Sequence, residues 1–380
     1  MTTVVDIESD PGAVERYRRD WQALFASSPG EPSTSYEWVR AMCDTHLRRD
    51  DAFHLAVLRR DGCVCGLVPL VLSYESVAGV RVGTLVPLME RSRTHSDLLL
   101  DRRDAPTVAA LAARLRALPG WDLFRLAQVL DSNPLLDALD TAFRATGATV
   151  LRRPEPPSFY LPLPATFEAY LADRSGKFRN HLRRTEKKLA ATGALAVVTA
   201  GVDIAFDEAF DALLAIEARS WKHAHGTAIS AIPHQAAFYG RMARGMLDAG
   251  VLHLTLLTRA GEPIAYNLGV TCHGEYAYLK TSYVEACKAL GPAVVLRARL
   301  IESLIAAGFR AMDFPAEPYE WEAQWASHHR PHHSLTVYNR TLRARALAWV
   351  RRWRDARRPA AAGDIAYANA RDLRPPVEGA

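Results

Sequence analysis

Cysteine is scarce in this chain, and long apolar runs are absent. The 380 residues include five cysteines at scattered positions, an odd number that is typical of reduced thiols rather than of a disulfide framework. No stretch of about eighteen consecutive residues is apolar, so we expect no transmembrane helix. The opening residues, MTTVVDIESDPG, carry acids where a secretion signal needs a positive flank and an apolar run. We therefore expect a cytoplasmic protein.

Several motifs of other enzyme classes are also missing. The GxSxG pattern and the Walker phosphate loop do not occur, so neither a hydrolase nor an NTPase is favoured. Four histidines lie near one another, but Pro331 interrupts any helix that would align them and no acid or cysteine is close in sequence. They are His328, His329, His332 and His333. We predict no metal site.

Length and composition indicate two soluble domains. Hydrophobic residues make up 49% of the chain and charged residues 23%, which is typical of a globular protein, and 380 residues exceed one compact core. The segment ATVLRRPEPPSFYLPLP is rich in proline and predicts a crossover between domains. We place an N-terminal domain at residues 1–155 and a C-terminal domain at 156–340. A basic helix with a disordered tail then follows at 341–380.

Local signals predict helices and strands in the first half. Residues Val14 to Phe25 have helical spacing, and Ser33 or Ser35 caps the helix YEWVRAMCDTH. Asp61-Gly62 between apolar runs predicts a β-hairpin. Further strands and two helices follow, the second helix ending at Gly147.

The second half repeats this order. Residues Phe167 to Leu189 read as helix with a break at Ser175-Gly176, and two more helices follow. VLHLTLLT, PIAYNLGVT and YAYLKTSY then read as an antiparallel meander, with turns at Ala260-Gly261 and His273-Gly274. The meander runs through KALGPA into a long helix and the strand RAMDF.

The loop KALGPA has the features of an anion-binding helix N-terminus. Free N–H groups and the helix dipole at such an end attract a diphosphate. Gly291 lets the backbone turn close to a ligand, Pro292 suits the first helical turn, and Ala293 is small. Lys288 adds charge. The alternative is a plain turn into a helix.

In this place the sequence resembles the GNAT acetyltransferases, whose loop has the pattern Arg/Gln-x-x-Gly-x-Gly/Ala. Lys288, Gly291 and Ala293 match its spacing, with lysine in place of arginine or glutamine. The resemblance implies two tandem GNAT-like domains of α/β (α+β) class, each a mixed, mostly antiparallel sheet flanked by helices. It also implies acetyl-CoA or another acyl-CoA as co-substrate, without a metal. The first domain has no KALGPA-like loop and is expected to be a degenerate copy.

A closer resemblance, over most of the chain, is to the cellulose-biosynthesis-associated (CelD/BcsL-like) GNAT family, which is similar to Fem-type aminoacyltransferases. The matching segments include SGKFRNHLRRTEKKLAATG, EARSWKHAHGT and YAYLKTSYVEACKALGPAVVL, with PSTSYEWV and THSDLLL in the first half. The family often has Tyr-Lys-x-x-Trp near its end. Here Trp321 and Glu322 occupy the first two places before Trp325, so a function of that lysine is absent or differs.

Acyl transfer from a thioester needs a base, hydrogen-bond donors for the carbonyl oxygen and an acid for the leaving thiolate. The GNAT resemblance places the donors at the backbone of Leu279, Lys280 and Thr281. The cofactor loop comprises Lys288, Leu290, Gly291, Pro292 and Ala293. The catalytic candidates and their alternatives are Glu217 as base or solvated surface residue, Asp313 as base, substrate anchor or turn cap, and Tyr283 as acid or packing residue.

The acceptor candidates lie in two helices of the second half. Arg179 and Arg183 flank an apolar seam on a basic helix, which is either a solvated amphipathic helix or a ridge for the CoA 3′-phosphate or an acidic acceptor. Trp221 and Lys222 lie in the segment that the resemblance places beside the acceptor. Fem-like relatives use aminoacyl-tRNA, but no aromatic-interleaved recognition motif supports nucleic-acid binding here.

The segment TLRARALAWVRRWRDARR contains seven arginines, with Trp349 and Trp353. We expect it to pack on the domain by its leucine and tryptophan face. The alternative is that it lies on an anionic membrane surface.

These patterns together predict an acyl-CoA-dependent N- or O-acyltransferase, most simply an acetyltransferase. The acceptor is a small molecule, a sugar or a peptide, with polysaccharide biosynthesis as the expected setting. Two alternatives stay open: a Fem-like transferase that uses charged tRNA, and a non-catalytic protein of polysaccharide or envelope assembly.

Overall fold

The computed structural model describes residues 3–28, 30–77, 79–88, 95–101, 105–314 and 319–357. The strands are β1 (Thr3–Glu8), β2 (Ala52–Arg60), β3 (Cys63–Val77), β4 (Val80–Pro87), β5 (Leu99–Leu100), β6 (Leu123–Leu130), β7 (Thr149–Pro162), β8 (Leu195–Thr199), β9 (Leu252–Arg259), β10 (Glu262–Cys272), β11 (Glu275–Tyr283), β12 (Ala311–Phe314) and β13 (His328–Tyr338). The α-helices are α1 (Ala13–Arg16), α2 (Arg18–Ser27), α3 (Tyr36–His46), α4 (Ala105–Ala117), α5 (Pro134–Ala145), α6 (Phe167–Asp173), α7 (Gly176–Ala190), α8 (Phe206–Ala218), α9 (Trp221–Ala224), α10 (Gln235–Asp248), α11 (Pro292–Ala306) and α12 (Leu342–Arg357). The predicted disordered tail lies largely outside the described residues.

One continuous sheet runs through both halves of the chain. Its strand order is β1-β2-β3-β4-β6-β13-β7-β12-β11-β10-β9-β8, with β5 paired to β3. Among the described strands, only β4–β6 and β11–β12 pair in parallel, so the sheet is mixed and mostly antiparallel. Helices flank it, which confirms the predicted fold class. The two expected sheets are joined at the centre.

Three hairpin turns follow directly from local sequence. Asp61-Gly62, Ala260-Gly261 and His273-Gly274 each have two successive residues at positive φ, with values between 48° and 84°. This is the mirror-image turn geometry that matches the twist of antiparallel strands, and glycine at the second position adopts it without strain. The predicted hairpin and the predicted meander are therefore confirmed.

The proline-rich segment is the strand β7, which lies where the two halves of the sheet join. β7 has β13 on one side and β12 on the other. Its register with β13 shifts where Pro156 and Pro157 lie opposite Pro331, because Glu155 pairs with His332 and Ser158 with Arg330. Proline cannot donate to a ladder and is tolerated at such an irregularity. The proposed boundary at residues 155/156 falls inside β7 and remains a prediction.

The sequence analysis missed the two strands at the edges of the sheet. β1 pairs only with β2, and β8 pairs only with β9, among the described strands. Both are short, with six and five residues.

Helices from both halves pack against each other on one face of the sheet. α3 lies on α10, and the Trp38 and Phe238 rings are 5.4 Å apart in a shared core. Ser35 accepts a hydrogen bond from the Trp38 N–H and is the cap of α3. Ser175 caps α7 in the same way, confirming the predicted break before it.

The last described helix packs differently from the expectation. α12 buries Ala344 and Ala348 against the β13 side of the sheet, with Leu347 partly buried beside them. Trp349 and Trp353 are 66% and 44% exposed. The prediction that the tryptophans pack on the domain was therefore wrong. None of the described helices has the length and apolar character needed to cross a bilayer.

Candidate functional site

Two parallel strands part in the second half of the sheet. β11 and β12 pair over three positions, the last being Ala277 with Asp313. β12 ends at Phe314, whereas β11 continues to Tyr283. No described strand pairs with residues 278–283 on that side, so this edge of β11 is outside the ladder with β12.

A β-bulge lies just past the point of separation. Lys280 pairs with Leu268 and Tyr278 with Gly269, which leaves Leu279 without a partner in β10. A Cβ on Gly269 would approach the Tyr276 ring to 2.2 Å, so only glycine fits there. A bulge re-aims the N–H groups next to it. It falls within the segment of Leu279, Lys280 and Thr281 that was predicted to face the thioester carbonyl.

A buried ion pair supports the strand after the bulge. The Lys222 ammonium lies 2.7 Å from Glu217 Oε1 and donates to the Thr281 carbonyl, also at 2.7 Å. The other carboxylate oxygen of Glu217 accepts the Ile229 N–H at 2.6 Å, and the Tyr266 hydroxyl donates to Oε1. The Glu217 side chain is fully buried. Both its oxygens are therefore engaged within the protein.

The charge of Glu217 is stabilised in this position. Burial alone would raise the pKa of Glu217, but the Lys222 ammonium and the hydrogen bonds from Ile229, Lys222 and Tyr266 outweigh it and lower that pKa. The same contact, together with burial, raises the pKa of Tyr266 well above its ordinary value. Glu217 is thus an ionised structural partner of Lys222. Its assignment as a base stays a prediction.

The predicted cofactor loop begins α11. Lys288 and Leu290 lie in a 3₁₀ turn, Glu285–Leu290, and Gly291 follows at φ 64°. Pro292 is the first helical residue, and no side chain caps the helix. A Cβ on Gly291 would meet Thr185 Cγ2 at 2.6 Å, so glycine is required both for the turn and for the approach of α7.

Most of the loop N–H groups already have partners. The Gly291 N–H bonds to the Lys288 carbonyl at 3.0 Å, and those of Val294 and Val295 reach the Gly291 carbonyl at 3.1 and 3.3 Å. Pro292 has none to offer. Among the described residues, no hydrogen bond occupies the N–H of Ala293. The loop was expected to offer several open amides to a diphosphate. It offers the Ala293 N–H of the first helical turn, together with the helix dipole.

The basic helix α7 lies alongside this loop. Lys188 donates to the Ala289 carbonyl at 2.8 Å, and Arg299 of α11 lies 3.3 Å from Glu186. Arg184 and Lys187 are exposed on the same helix. Arg179 and Arg183 have other contacts. Arg179 donates to three carbonyls near the end of α6, the nearest being Arg174 at 2.6 Å, and Arg183 donates to Asn180.

A cavity of about 720 Å³ opens where both halves meet at the centre of the sheet. Its walls include the loop of Glu31, the segment after β6 with Asp131, and the β10–β11 turn. Asp313 and Ala277 line it too, so it reaches the point where β11 and β12 separate. The bulged residue Leu279 is two positions beyond Ala277, which is about 7 Å along an extended strand, so the bulge lies close to the cavity.

Asp313 is held in this cavity by a histidine and an arginine. Its Oδ2 lies 2.7 Å from His95 Nε2 and 3.0 Å from Arg330 NH1. Arg330 also contacts Glu275 at 2.8 Å. Asp313 Oδ1 is buried and has no hydrogen-bond partner among the described residues. A buried carboxylate oxygen of this kind is available to a donor on a bound molecule.

Each member of this pair shifts the pKa of the other toward the charged form. Burial alone would raise the pKa of Asp313, but His95 and Arg330 lower it. Burial alone would lower the pKa of His95, but the Asp313 carboxylate outweighs burial and raises it. The His332 ring lies 4.7 Å from the His95 ring at a tilt of 45°, and burial together with the charge of His95 lowers the pKa of His332 to about 4. His332 is therefore the neutral member of the group.

The remaining predicted residues lie around the strand rather than in the cavity. Lys280 is buried with its ammonium 5.0 Å from the Tyr239 ring centre, and Tyr283 is a partly buried member of the core. Trp221 is partly exposed beside His225. The structure thus brings Lys222 and Thr281 into contact. Tyr283 lies six residues beyond the last β11–β12 pair, and Asp313 is itself a member of that pair.

Sequence reasoning missed His95, Glu275 and Arg330. His95 lies in the THSDLLL segment, and that resemblance was its one signal. Glu275 and Arg330 carry no local motif because their partners are distant in sequence. The histidines that attracted attention lie in β13, and in the described parts of the chain no group of three side chains is arranged to hold a metal.

Glu322 is buried and accepts a hydrogen bond from the Tyr319 N–H. Next to it, the Trp321 ring covers the guanidinium of buried Arg297 at 3.8 Å. The position at which the sequence resemblance leads one to expect lysine is thus a buried glutamate, beside a tryptophan whose ring covers Arg297.

Comparison with known proteins agrees with this geometry. Residues 176–323 match the family model described as Acetyltransferase (GNAT) domain. That range includes the bulged strand and the α11 loop. Among curated protein sequences, no significant match was found.

Solved structures extend the likeness to nearly the whole chain. FemX matches with a TM-score of 0.61 at 10% identity, over 92% of this chain and 99% of that one. The C-terminal domain of a protein designated a lysylphosphatidylglycerol synthetase, from Agrobacterium fabrum, matches with 0.54 at 12%, over 88% and 95%. A conserved protein of unknown function from Bacteroides thetaiotaomicron matches with 0.53 at 11%, over 88% and 100%. At these identities the likeness concerns the fold alone, and together with the family match at residues 176–323 it shows a GNAT-like fold.

Proposed function

We propose that the protein transfers an acyl group from acyl-CoA to an amine or hydroxyl bound in the central cavity. One relationship carries the proposal: the bulged edge of β11 connects the start of α11 with the Asp313 cavity. From Tyr283 to Tyr278 an extended strand covers about 16 Å. A pantetheine arm bound along this edge would bring its thioester to the bulge, beside the cavity.

Each end of the cleft has a chemical task in this proposal. At the α11 end, the Ala293 N–H, the helix dipole and the nearby cations Lys188 and Lys288 bind the diphosphate and the 3′-phosphate. At the bulge, a backbone N–H of the Leu279–Thr281 segment binds the carbonyl oxygen as negative charge develops. Lys222 and Glu217 hold that segment in place through the Thr281 carbonyl.

Asp313 acts as the anchor of the acceptor. Its low pKa makes it a weak base at neutral pH but a good hydrogen-bond acceptor for an ammonium or hydroxyl group. The free Oδ1 receives that donor, while His95 and Arg330 fix the carboxylate. The resemblance to the CelD/BcsL-like family, and with it a setting in polysaccharide biosynthesis, remains part of this proposal.

Thermal unfolding with acetyl-CoA, longer acyl-CoAs and free CoA tests the donor. We expect each CoA ligand to raise the melting temperature by mass action. Gly291→Glu should abolish the shift. Since that change also strains the turn, Ala293→Asp is the second variant: an acid in the first turn stabilises the helix but repels a diphosphate. Ala286→Asp, in the exposed part of the preceding turn, is the control. A folded protein that ignores every CoA ligand contradicts the proposal.

A second candidate donor is aminoacyl-tRNA, as in the Fem-type enzymes that the sequence resembles. The favouring observation is the row of exposed cations on α7, among them Lys177, Arg184 and Lys187, next to the α11 loop. This candidate predicts a salt-sensitive affinity for charged tRNA without tight CoA binding. The thermal-shift series and a tRNA filter-binding titration at two salt concentrations separate the two donors.

A further inference from the structure

Exposed apolar side chains concentrate in one region away from the cleft. Eleven large apolar residues are exposed in the described parts of the chain, and seven of them lie in α12 or in the β3–β4 hairpin. These seven are Tyr74, Val77, Val80, Leu342, Trp349, Val350 and Trp353. Single exposed apolar residues need no explanation, but such a cluster marks an interaction surface.

The exposed residues of α12 form one stripe opposite its packed side. Leu342, Trp349 and Trp353 are spaced by seven and four residues, which places them on one face of the helix. Ala344 and Ala348 point the other way, into the domain. The stripe is 83%, 66% and 44% exposed along its length. The helix therefore has two apolar faces, one packed against the domain and one exposed.

The hairpin and the helix adjoin each other. The Arg343 side chain donates to the Arg81 carbonyl at 2.6 Å, and Val82 lies in the same small core as Ala344 and Ala348. Val77 and Val80, at the tip of the hairpin, are 36% and 47% exposed. We use the name arginine–tryptophan face for the surface formed by Val77, Val80, Leu342, Trp349 and Trp353 with its flanking arginines.

The charge around this surface is mainly positive. Arg81, Arg343, Arg345 and Arg352 are exposed along it, and Glu75 is the exposed acid on the hairpin. A second copy of the same surface would bring arginines against arginines, which opposes self-association. Tryptophan prefers the boundary between water and lipid, and arginine is attracted to anionic headgroups.

We propose that the arginine–tryptophan face binds the surface of a membrane that contains anionic lipids. α12 would lie in the interface with Trp349 and Trp353 among the headgroups, the arginines would contact lipid phosphates, and the hairpin tip would provide a second apolar contact. Binding is peripheral and reversible, and it brings the catalytic domain next to lipid-linked or envelope-associated acceptors. The proposal does not depend on the identity of the acyl donor.

Flotation of the full chain with vesicles tests this binding. We expect the protein to float with vesicles of phosphatidylcholine and phosphatidylglycerol but not with phosphatidylcholine alone, and to be released by salt. Trp349→Ser with Trp353→Ser should weaken binding by about tenfold or more, since two interfacial anchors are lost. Arg345→Gln with Arg352→Gln should cost about fivefold for each charge.

The matched control is Val197→Ser with Val202→Ser, which removes two exposed apolar residues at 40% and 80% exposure from another part of the chain. It should bind vesicles like the wild type. Val77→Ser with Val80→Ser tests the hairpin independently of α12. Three results overturn the proposal: no binding to anionic vesicles, equal loss in the control, or a wild-type dimer that the tryptophan variant converts to monomer.

Discussion

His95 Nε2 lies 2.7 Å from Asp313 Oδ2, although 218 residues separate the two in the chain. The contact joins the first half of the protein to the strand that ends beside the bulge. The first half therefore contributes a side chain that positions Asp313, a residue that lines the central cavity.

His95→Gln should destabilise the protein at pH 6 by about 3 kcal/mol, because the change leaves the buried Asp313 carboxylate with Arg330 as its remaining charged partner. The pKa of His95 is raised in the folded protein, so its stabilisation is complete below the ordinary value of 6.5 and is lost as pH rises through the raised value. Urea unfolding of wild type and variant between about pH 6 and 10 measures this. A difference that stays constant over the whole range would show that the pair is not linked to protonation.

The stability that Asp313 contributes should be lost as pH falls, which is the opposite direction from that of His95. Because its pKa is lowered, its contribution is complete above the ordinary value of 3.8 and disappears as pH falls below it.

Asp313→Asn should leave CoA binding intact and reduce kcat/KM by about 10²-fold, as expected when one charged hydrogen bond to the acceptor is lost. Thiol release over a panel of amine, sugar and peptide acceptors is the assay. Asp137→Asn, 79% exposed and not among the residues that line the cavity, is the control and should keep its activity.

Glu217→Gln should cost about 3–5 kcal/mol of unfolding free energy, because it leaves the Lys222 ammonium buried without its counter-charge. The double variant Glu217→Gln, Lys222→Met should recover at least half of this loss. Both should bind CoA at low temperature and turn over more slowly, since Lys222 no longer holds the Thr281 carbonyl in the same way. A single variant as stable as wild type would mean that the pair is not charged in the folded protein.

Gly291→Ala should destabilise the protein by more than its backbone strain, which is about 1–2 kcal/mol for a left-handed residue. The added Cβ also meets Thr185 Cγ2 at 2.6 Å. In the double variant Gly291→Ala, Thr185→Ser, the clash should be relieved because serine lacks the Cγ2 methyl group, and only the backbone strain should remain. Gly250→Ala, at φ 71° with nothing within 4 Å of its Cβ, carries the strain without the clash. Equal losses at the two glycines would argue against close packing of α7 on the loop.

Sequence alone determined the elements whose conformation depends on neighbouring residues. Asp61-Gly62 and His273-Gly274 form the predicted turns because glycine there adopts positive φ without strain, and Ser35 and Ser175 cap helices within three residues of themselves. Gly291 and Pro292 begin α11 for the same local reasons. The interactions that form these turns and caps lie within about one turn of the chain, so the local order of residues is sufficient to predict them.

Tertiary structure alone decided which distant groups meet. The proline-rich β7 became a central strand because β13, about 170 residues later, has its irregularity at Pro331 opposite Pro156 and Pro157. The His95–Asp313 pair, the enclosure of Glu217 and the outward stripe of α12 follow from packing between segments far apart in sequence. A residue type specifies charge and size, but its burial and partners, and hence its pKa and its task, are set by the chain that folds against it.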